Sequence, residues 1–344
     1  WYDSYAGGTV QNYKELSRRL DADVRLIMGP WTHSGNTRSY AGDVEFGPDA
    51  AIDDFHNDFH LRWFDRYLKG STVDPTAAVL VFVMGTGDGH KDGAGRLFHG
   101  GYWRESDTWP LADTEFLRYY LHADGSLQTE SPSERSASST YTFDPEEPVQ
   151  TIGGAFSSTS PVFEPGAYDQ RESDAVFGAT LPFLPLKSRD DVLVFQTLPL
   201  ESDVTVIGPV TVKLHVSSTA TDTDFTAKLV DVYPPSADFP TGFEMNITDG
   251  IIRTRYREQP DRQKLMTPGE IYEIDVTPFP TANVFKKGHR IRIDISSSNF
   301  PRFDVNPNTG EPLGLNRRSI SADNTVHHDA VNSSYILLPV VPTP

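Results

Sequence analysis

Asp3 and His33 have the residue types and the spacing that fit a catalytic pair. His33 follows the apolar run Leu26–Met28 and the stop formed by Gly29 and Pro30, which predicts a loop at the carboxyl end of a buried strand. Asp3 precedes it by one helix and one strand, and in a parallel sheet two such loops emerge side by side. An Asp there would hold the imidazole in one tautomer while the imidazole takes a proton from a nucleophile, as in a Ser-His-Asp triad. An isolated Asp is usually a turn or cap residue and an isolated His polar surface, so spacing alone leaves both interpretations open.

Elements of an α/β domain surround these two residues. Residues 10–20 carry apolar side chains at helical spacing, and residues 24–28 form the strand that leads to His33. Residues 77–84 are almost wholly apolar, which is typical of a strand buried on both faces. This part of the chain therefore predicts helices packed on a parallel sheet.

A second helix and a long loop are expected between and after these elements. Residues 51–68 repeat apolar side chains with a period of about 3.6, which predicts a long amphipathic helix. Gly70 follows as its C-cap. Residues 85–104 are rich in Gly, His and Asp and predict an extended surface loop.

The pattern changes near residue 109, where short stretches with period-two alternation replace helical spacing. Pro and Gly separate these stretches, and residues 122–190 are expected to be mostly loop, with 131–139 the least structured part. The predicted strands are 117–121, 192–197, 210–216, 225–232, 271–276, 291–295 and 335–341. Many short alternating strands predict an antiparallel sandwich or jelly roll. The domain boundary is therefore expected between residues 109 and 110.

Composition limits the classes of partner. The chain has 344 residues, a net charge of −18 and no cysteine. A strongly acidic chain argues against nucleic acid and anionic membranes, which are bound through Lys and Arg clusters. No apolar run is long enough to span a bilayer, so a soluble chain is expected, with cytoplasmic and secreted locations both open. Trp1 is no initiator residue, which predicts the C-terminal part of a longer polypeptide.

Two N-terminal segments resemble a known family. Trp1-Tyr2-Asp3 and Gly29-Pro30-Trp31-Thr32-His33-Ser34 are similar to the Asp and His segments of the cocaine esterase family. Those enzymes are serine hydrolases related to α-amino-acid ester hydrolases and X-Pro dipeptidyl-peptidases. Residues 222–232, 249–253 and 288–301 are similar to the C-terminal β-domain of the same family. The resemblance covers nearly the whole chain and implies an α/β-hydrolase domain with a helical cap, followed by a jelly roll.

The resemblance also assigns roles to individual residues. It implies that Asp3 is the triad acid and that His33 is the general base. Tyr5 matches an aromatic residue that lines the acyl pocket of the family, and Phe156 is expected near the β-domain residues that close that pocket. The family nucleophile is a Ser on a Gly-rich elbow that precedes the Asp in chain order. Residues 1–344 contain no such elbow, so the Ser, the oxyanion donors and the cap are expected upstream.

The expected function is a serine hydrolase that cleaves an ester or an amide through an acyl-enzyme. Residues 1–109 would be the C-terminal part of its catalytic domain and 110–344 the jelly roll. The substrate would be a small-molecule ester or a short peptide, with no metal or organic cofactor. The upstream part of the polypeptide would be the partner, and a homo-oligomer is left open. The alternative is a non-catalytic β-sandwich that binds a ligand, such as a carbohydrate, and belongs to a decayed enzyme.

Overall fold

The computed structural model describes residues 1–72, 77–157 and 162–342. Within them lie two α-helices, α1 (Ala6–Arg19) and α2 (Arg62–Lys69), and a π-helical segment, His56–Leu61, that leads into α2. No helix in these ranges is long and apolar enough to cross a membrane. The rest of the regular structure is β, so the fold is mostly β.

Nineteen strands make up the described β structure. They are β1 (Leu26–Met28), β2 (Tyr40–Ala41), β3 (Val44–Glu45), β4 (Val79–Met84), β5 (Leu97–Phe98), β6 (Gly101–Ser106), β7 (Glu115–Leu121), β8 (Leu127–Gln128), β9 (Ser138–Phe143), β10 (Leu193–Gln196), β11 (Val204–Gly208), β12 (Thr211–Ser218), β13 (Asp224–Tyr233), β14 (Phe243–Arg253), β15 (Tyr272–Val276), β16 (Thr281–Phe285), β17 (Arg290–Ser296), β18 (Ala322–His327) and β19 (Tyr335–Val341). Short 3₁₀ turns lie at Pro48–Ala50, Leu186–Ser188 and Thr254–Tyr256.

The N-terminal segment is organised around a short parallel sheet. β1 pairs in parallel with β4, and β6 pairs antiparallel with the whole length of β4 along its other edge. Helix α1 buries Ala6, Val10 and Tyr13, which lie on one face at helical spacing. Its last turn carries Arg18 and Arg19, whose positive charges suit the negative end of the helix dipole.

The largest sheet continues from this N-terminal part into the rest of the chain. Its path is β1-β4-β16-β11-β19-β12-β18-β9, and β6, β7, β8 and β15 pair at its sides. β16 joins β4 through one parallel residue pair, Asn283 with Met84. The strands that the sequence assigned to two different domains therefore share one sheet.

A second sheet of four strands, in the order β10-β17-β13-β14, packs on the first. Alternate residues of β12, such as Val212, Leu214 and Val216, are buried in the same hydrophobic core as Ile293 and Ile295 of β17. Every pairing between the described strands after residue 110 is antiparallel. The expectation of an antiparallel region there is confirmed.

Two predictions need correction at their boundaries. The helix predicted over 51–68 begins only at residue 56, as a π-helical turn, and Gly70 then ends α2 with a left-handed φ of 70°. The surface loop predicted over 85–104 is wrong at its C-terminal end, because β5 and the start of β6 lie there. The side chains of β6 are only partly buried, so the segment lacks the apolar run that would have identified a strand.

Candidate active site

Backbone pairing brings the two predicted catalytic loops together. The Tyr2 N–H donates to the Trp31 carbonyl at 3.0 Å, and Tyr2 forms a parallel bridge with Thr32. Asp3 and His33 each follow the last paired residue of their segment. Because parallel segments end at the same edge of a sheet, the two side chains emerge next to each other.

Asp3 and His33 form a hydrogen-bonded pair. His33 Nδ1 lies 3.1 Å from Asp3 Oδ2, which is within the range expected for a triad acid and its base. The other carboxylate oxygen, Asp3 Oδ1, accepts the Tyr5 N–H at 2.8 Å. The Asp3 side chain is 27% exposed and that of His33 is 47% exposed, so both members of the pair are accessible to solvent. With Nδ1 bound to the carboxylate, Nε2 is the ring nitrogen left to exchange a proton.

A tight turn carries His33. The Gly35 N–H donates to the Thr32 carbonyl at 3.0 Å, which places His33 and Ser34 at the two central positions. Ser34 has a φ of 60°, the left-handed conformation that a type II turn requires at its second central residue. A Cβ on Gly35 would lie 2.8 Å from Thr32 Oγ1, so a larger residue at this position would have to displace the Thr32 side chain. The sequence predicts the loop but not this turn, because Ser-Gly in place of Gly-x obscures the usual turn pattern.

A cleft of about 330 Å³ opens beside the pair. Its volume lies in the range of small-molecule sites in proteins. Its wall combines aromatic and aliphatic side chains with small neutral polar groups, and Asp3 is the one charged residue among the described residues that line it. The lining consists of Trp1, Asp3, Tyr5, Ala6, Thr9, Ile27, Met28, Gly29, Trp31, Thr32, Ser34, Gly35, Asn36 and Phe55.

The structure places the two predicted pocket residues differently. The Tyr5 ring is 65% exposed, lines the cleft and lies 5.5 Å from the imidazole of His33. Phe156 is buried, with its ring 4.4 Å from that of Phe163 and the Arg302 guanidinium 5.8 Å away. Among the described residues, no hydrogen bond, ion pair or ring contact joins Phe156 to Asp3, Tyr5 or His33. The roles of Tyr5 and Phe156 in substrate binding stay predictions.

The structure also contains a buried Asp–His pair that the sequence does not predict. Asp231 of β13 accepts a hydrogen bond from His289 Nδ1 at 2.9 Å, and both side chains are buried. The ring of Tyr233 lies 4.0 Å from that of His289, and its hydroxyl hydrogen-bonds to His99 Nδ1. Burial lowers the pKa of His99 to about 4, despite the nearby Asp231 and the hydrogen bond that His99 Nε2 donates to Asn283 Oδ1, both of which favour the charged form. No sequence pattern could have paired these residues, because the sheet brings them together from distant segments.

Carboxylates elsewhere are neutralised by arginines. Asp222 pairs with Arg255 at 2.8 Å and Asp224 with Arg253 at 2.9 Å, all of them buried or nearly so, while Asn306 donates to both carboxylates. Within residues 1–72, 77–157 and 162–342, no group of three or more His, Asp and Glu side chains has the arrangement to hold a metal ion.

The fold thus combines a mostly-β body with an exposed Asp–His pair at its N-terminal edge. Residues 71–337 match the X-Pro dipeptidyl-peptidase C-terminal non-catalytic domain, and the chain belongs to that family. Asp3 and His33 precede the matched residues.

Named relatives agree with this assignment. The chain is 36% identical to the cocaine esterase of Rhodococcus sp. (strain MB1 Bresler), over 99% of its own length and 55% of that protein. Among solved structures, an α-amino acid ester hydrolase superposes with a TM-score of 0.78 at 27% identity, over 98% of this chain and 54% of that one. An aminopeptidase from a marine sediment Thaumarchaeota archaeon gives a TM-score of 0.78 at 25% identity, over 99% and 53%. The resemblance to this group of hydrolases is confirmed, and the chain spans about half the length of these relatives.

Proposed function

We propose that this chain is the C-terminal portion of a serine hydrolase that cleaves an ester or an amide through an acyl-enzyme. The observation that carries the proposal is the 3.1 Å contact between Asp3 Oδ2 and His33 Nδ1, on adjacent loops beside an open cleft. The names of the relatives, an esterase, an ester hydrolase and an aminopeptidase, support an acyl-transfer reaction. In this proposal the upstream part of the polypeptide contributes the nucleophilic Ser and the oxyanion donors.

In the proposed reaction the loop of His33 supplies the general base and the loop of Asp3 supplies the acid that stabilises it. His33 Nε2 takes the proton of the Ser hydroxyl as its oxygen bonds to the substrate carbonyl carbon, and Asp3 stabilises the imidazolium. The imidazolium then protonates the leaving alcohol or amine as its bond to carbon breaks. Water repeats the sequence on the acyl-enzyme and releases the acid. The N–H of Tyr5 holds the Asp3 carboxylate in the plane that faces His33.

The finer architecture is part of the same proposal. Residues 1–109 would complete an α/β-hydrolase domain, which the parallel pairing of β1 with β4 and the packing of α1 support. Residues 110–344 would form the jelly roll, which the antiparallel pairing of their strands within the two sheets supports. The matched family range begins earlier, at residue 71. Limited proteolysis that cuts near residue 110 or near residue 71 would decide between the two boundaries.

Tyr5 and Phe156 are proposed to contact the acyl group of the substrate, Tyr5 from the cleft and Phe156 from the β region. The choice between an ester, an amino-acid ester and an X-Pro amide requires an assay of the full-length polypeptide on all three substrates. An amino-acid ester or an X-Pro amide would need a further carboxylate for the substrate ammonium, because Asp3, the one charged residue among the described residues that line the cleft, is already paired with His33.

A fluorophosphonate probe tests the proposal. Labelling of the full-length polypeptide at a Ser upstream of Trp1, and of residues 1–344 at none, is the expected result. An unactivated ester should likewise be turned over only by the longer protein. Stoichiometric labelling of residues 1–344 that disappears when one of their own serines is changed would contradict the proposal.

A second candidate function is a ligand-binding β module of an enzyme that has lost activity. The observation that favours it is the match to a domain described as non-catalytic, over residues 71–337. The two candidates differ in the parent gene. A Gly-x-Ser elbow upstream of Trp1 supports the hydrolase, whereas its absence together with carbohydrate binding by the isolated chain supports the module.

A further inference from the structure

Asp3 lies between two anchor points on the β region. The residue before it, Tyr2, is 1% exposed and donates its hydroxyl to the Asn246 carbonyl of β14 at 3.1 Å. Four residues after Asp3, Gly7 lies in the first turn of α1, and a Cβ there would be 3.2 Å from the ring of Phe279. Both Asn246 and Phe279 fall within the range that matches the non-catalytic domain.

The first anchor uses an irregularity in the sheet. The pairing of β13 with β14 shifts register between Leu229 and Val230, so that Asn246 pairs with Val230 and Thr248 with Leu229. Such a β-bulge leaves one residue outside the ladder and turns its neighbours in new directions. The Asn246 side chain is fixed as well, because its Oδ1 accepts the Tyr168 N–H at 2.7 Å and its Nδ2 donates to Gly166. The carbonyl that receives the Tyr2 hydroxyl is therefore held rigidly.

The second anchor is the ring of Phe279, which packs against α1 at Gly7, a residue without a side chain. Phe279 keeps its place through its carbonyl, which accepts the Thr248 hydroxyl at 2.8 Å, and through Arg302, whose guanidinium lies 5.8 Å from the ring. Arg302 is in turn paired with Asp249 of β14. The start of α1 is thus linked, through Phe279, to the same strand, β14, whose Asn246 carbonyl accepts the Tyr2 hydroxyl.

We infer that Tyr2 and Phe279 are positioning residues, through which the β region fixes the Asp3 loop against His33. The inference rests on the proposed function, in which Asp3 is the triad acid. The inference gives the non-catalytic region a part in catalysis. The hydrogen bond from Tyr2 and the contact of Phe279 with α1 act as two clamps on either side of Asp3, and together they hold its carboxylate in the position that bonds His33. Displacement of a catalytic group by about 1 Å lowers rates by up to about 100-fold.

Tyr2→Phe tests the first clamp by removing one oxygen atom. In the full-length hydrolase we expect kcat to fall at least tenfold while KM stays within about twofold. The matched control is Tyr141→Phe, which removes a buried hydroxyl bonded to Ser297 at 2.7 Å within the β region. Both variants lose stability, but only Tyr2→Phe should lower kcat when the two are assayed well below their unfolding temperatures.

Phe279→Leu tests the second clamp. Phe303→Leu is its control, because the Phe303 ring lies 4.8 Å from the same guanidinium, that of Arg302. We expect Phe279→Leu alone to lower kcat. A further readout is the His33 Nδ1–H proton resonance in protein labelled at histidine, since a hydrogen bond to a carboxylate moves it downfield. That resonance should shift upfield in Tyr2→Phe and in Phe279→Leu and stay in place in both controls.

The failures of the two proposals can be told apart. If Asp3→Asn abolishes turnover but Tyr2→Phe and Phe279→Leu change neither kcat nor the His33 resonance, the positioning inference is wrong and the hydrolase proposal stands. If Asp3→Asn leaves kcat unchanged, the hydrolase proposal is wrong. An equal loss of kcat in the clamp variants and in their controls would indicate a general effect of stability and would also overturn the inference.

Discussion

Two of the Asp–His pairs in the described residues, Asp3–His33 and Asp231–His289, have nearly equal lengths in very different surroundings. Asp3 and His33 are 3.1 Å apart, and the imidazole is half exposed beside a cleft. Asp231 and His289 are 2.9 Å apart, but the carboxylate is completely buried and the imidazole is 9% exposed. Distance alone would rank the buried pair as the better dyad.

The difference between the pairs lies in what surrounds the imidazole. A general base must reach a proton on another molecule or segment, and the half-exposed imidazole of His33 is accessible for this. His289 is covered by the ring of Tyr233 at 4.0 Å, so its hydrogen bond satisfies buried polar groups instead. The two pairs therefore predict opposite responses to the same mutation, one in rate and the other in stability.

The largest expected effect is that of Asp3→Asn on turnover. If the full-length polypeptide is the proposed hydrolase, its kcat should fall by about 10⁴, because an amide stabilises the wrong imidazole tautomer. Stability should change by less than about 1 kcal/mol, since the side chain is partly exposed. Steady-state kinetics on an unactivated ester measures the rate. Asp21→Asn, a change on an exposed residue, is the control and should leave kcat unaltered.

Asp231→Asn should show the reverse behaviour. Removing a buried carboxylate from its His partner should lower the free energy of unfolding by about 2–4 kcal/mol. Below the unfolding transition, kcat should stay within about twofold of the parent. Chemical denaturation of residues 1–344 gives the stability directly. A large loss of kcat in fully folded Asp231→Asn would erase the distinction between the two pairs.

The buried network should also make stability depend on pH. Burial lowers the pKa of His99 from its ordinary 6.5 to about 4, so between these values the unfolded chain binds more protons than the folded one. Stability from this group is complete above pH 6.5 and is lost as the pH falls towards 4, by about 3 kcal/mol in all.

His99→Gln isolates that contribution, because glutamine does not titrate. The difference in unfolding free energy between parent and variant should shrink steadily from pH 6.5 to pH 4, as measured by urea denaturation. Changing the exposed His90, whose hydrogen bond to the exposed Asp88 lowers the pKa of that carboxyl, to Gln should alter the slope between pH 6.5 and pH 4 far less than His99→Gln does. An equal slope in the parent and in His99→Gln would show that His99 is not the group responsible.

The exposed pair could be predicted from sequence and the buried pair could not, for a physical reason. Asp3 and His33 follow strand ends, where a turn signal such as Gly29-Pro30 marks the position along the chain. Asp231 and His289 meet because β13 pairs with β17, a register that depends on long-range packing. The same limit explains why β6 was missed, since its half-buried side chains become a strand only through pairing with β4.

The smallest expected effect concerns Tyr5, which has two separable functions in the exposed pair. Its N–H donates to Asp3 Oδ1 at 2.8 Å, whereas its exposed ring lines the cleft. Tyr5→Ala keeps the N–H and removes the ring, so KM for an aromatic ester should rise about three- to tenfold, the equivalent of about 1 kcal/mol, with kcat nearly constant.

Tyr5→Pro removes the donor, and its fixed φ of about −65° is close to the −93° of Tyr5. That variant should lower kcat through the freed carboxylate, in addition to the change in KM. Kinetics of the two variants on one ester separates the roles, and a Tyr5→Ala enzyme with unchanged KM would remove Tyr5 from the proposed acyl pocket while leaving the Asp3–His33 pair untouched.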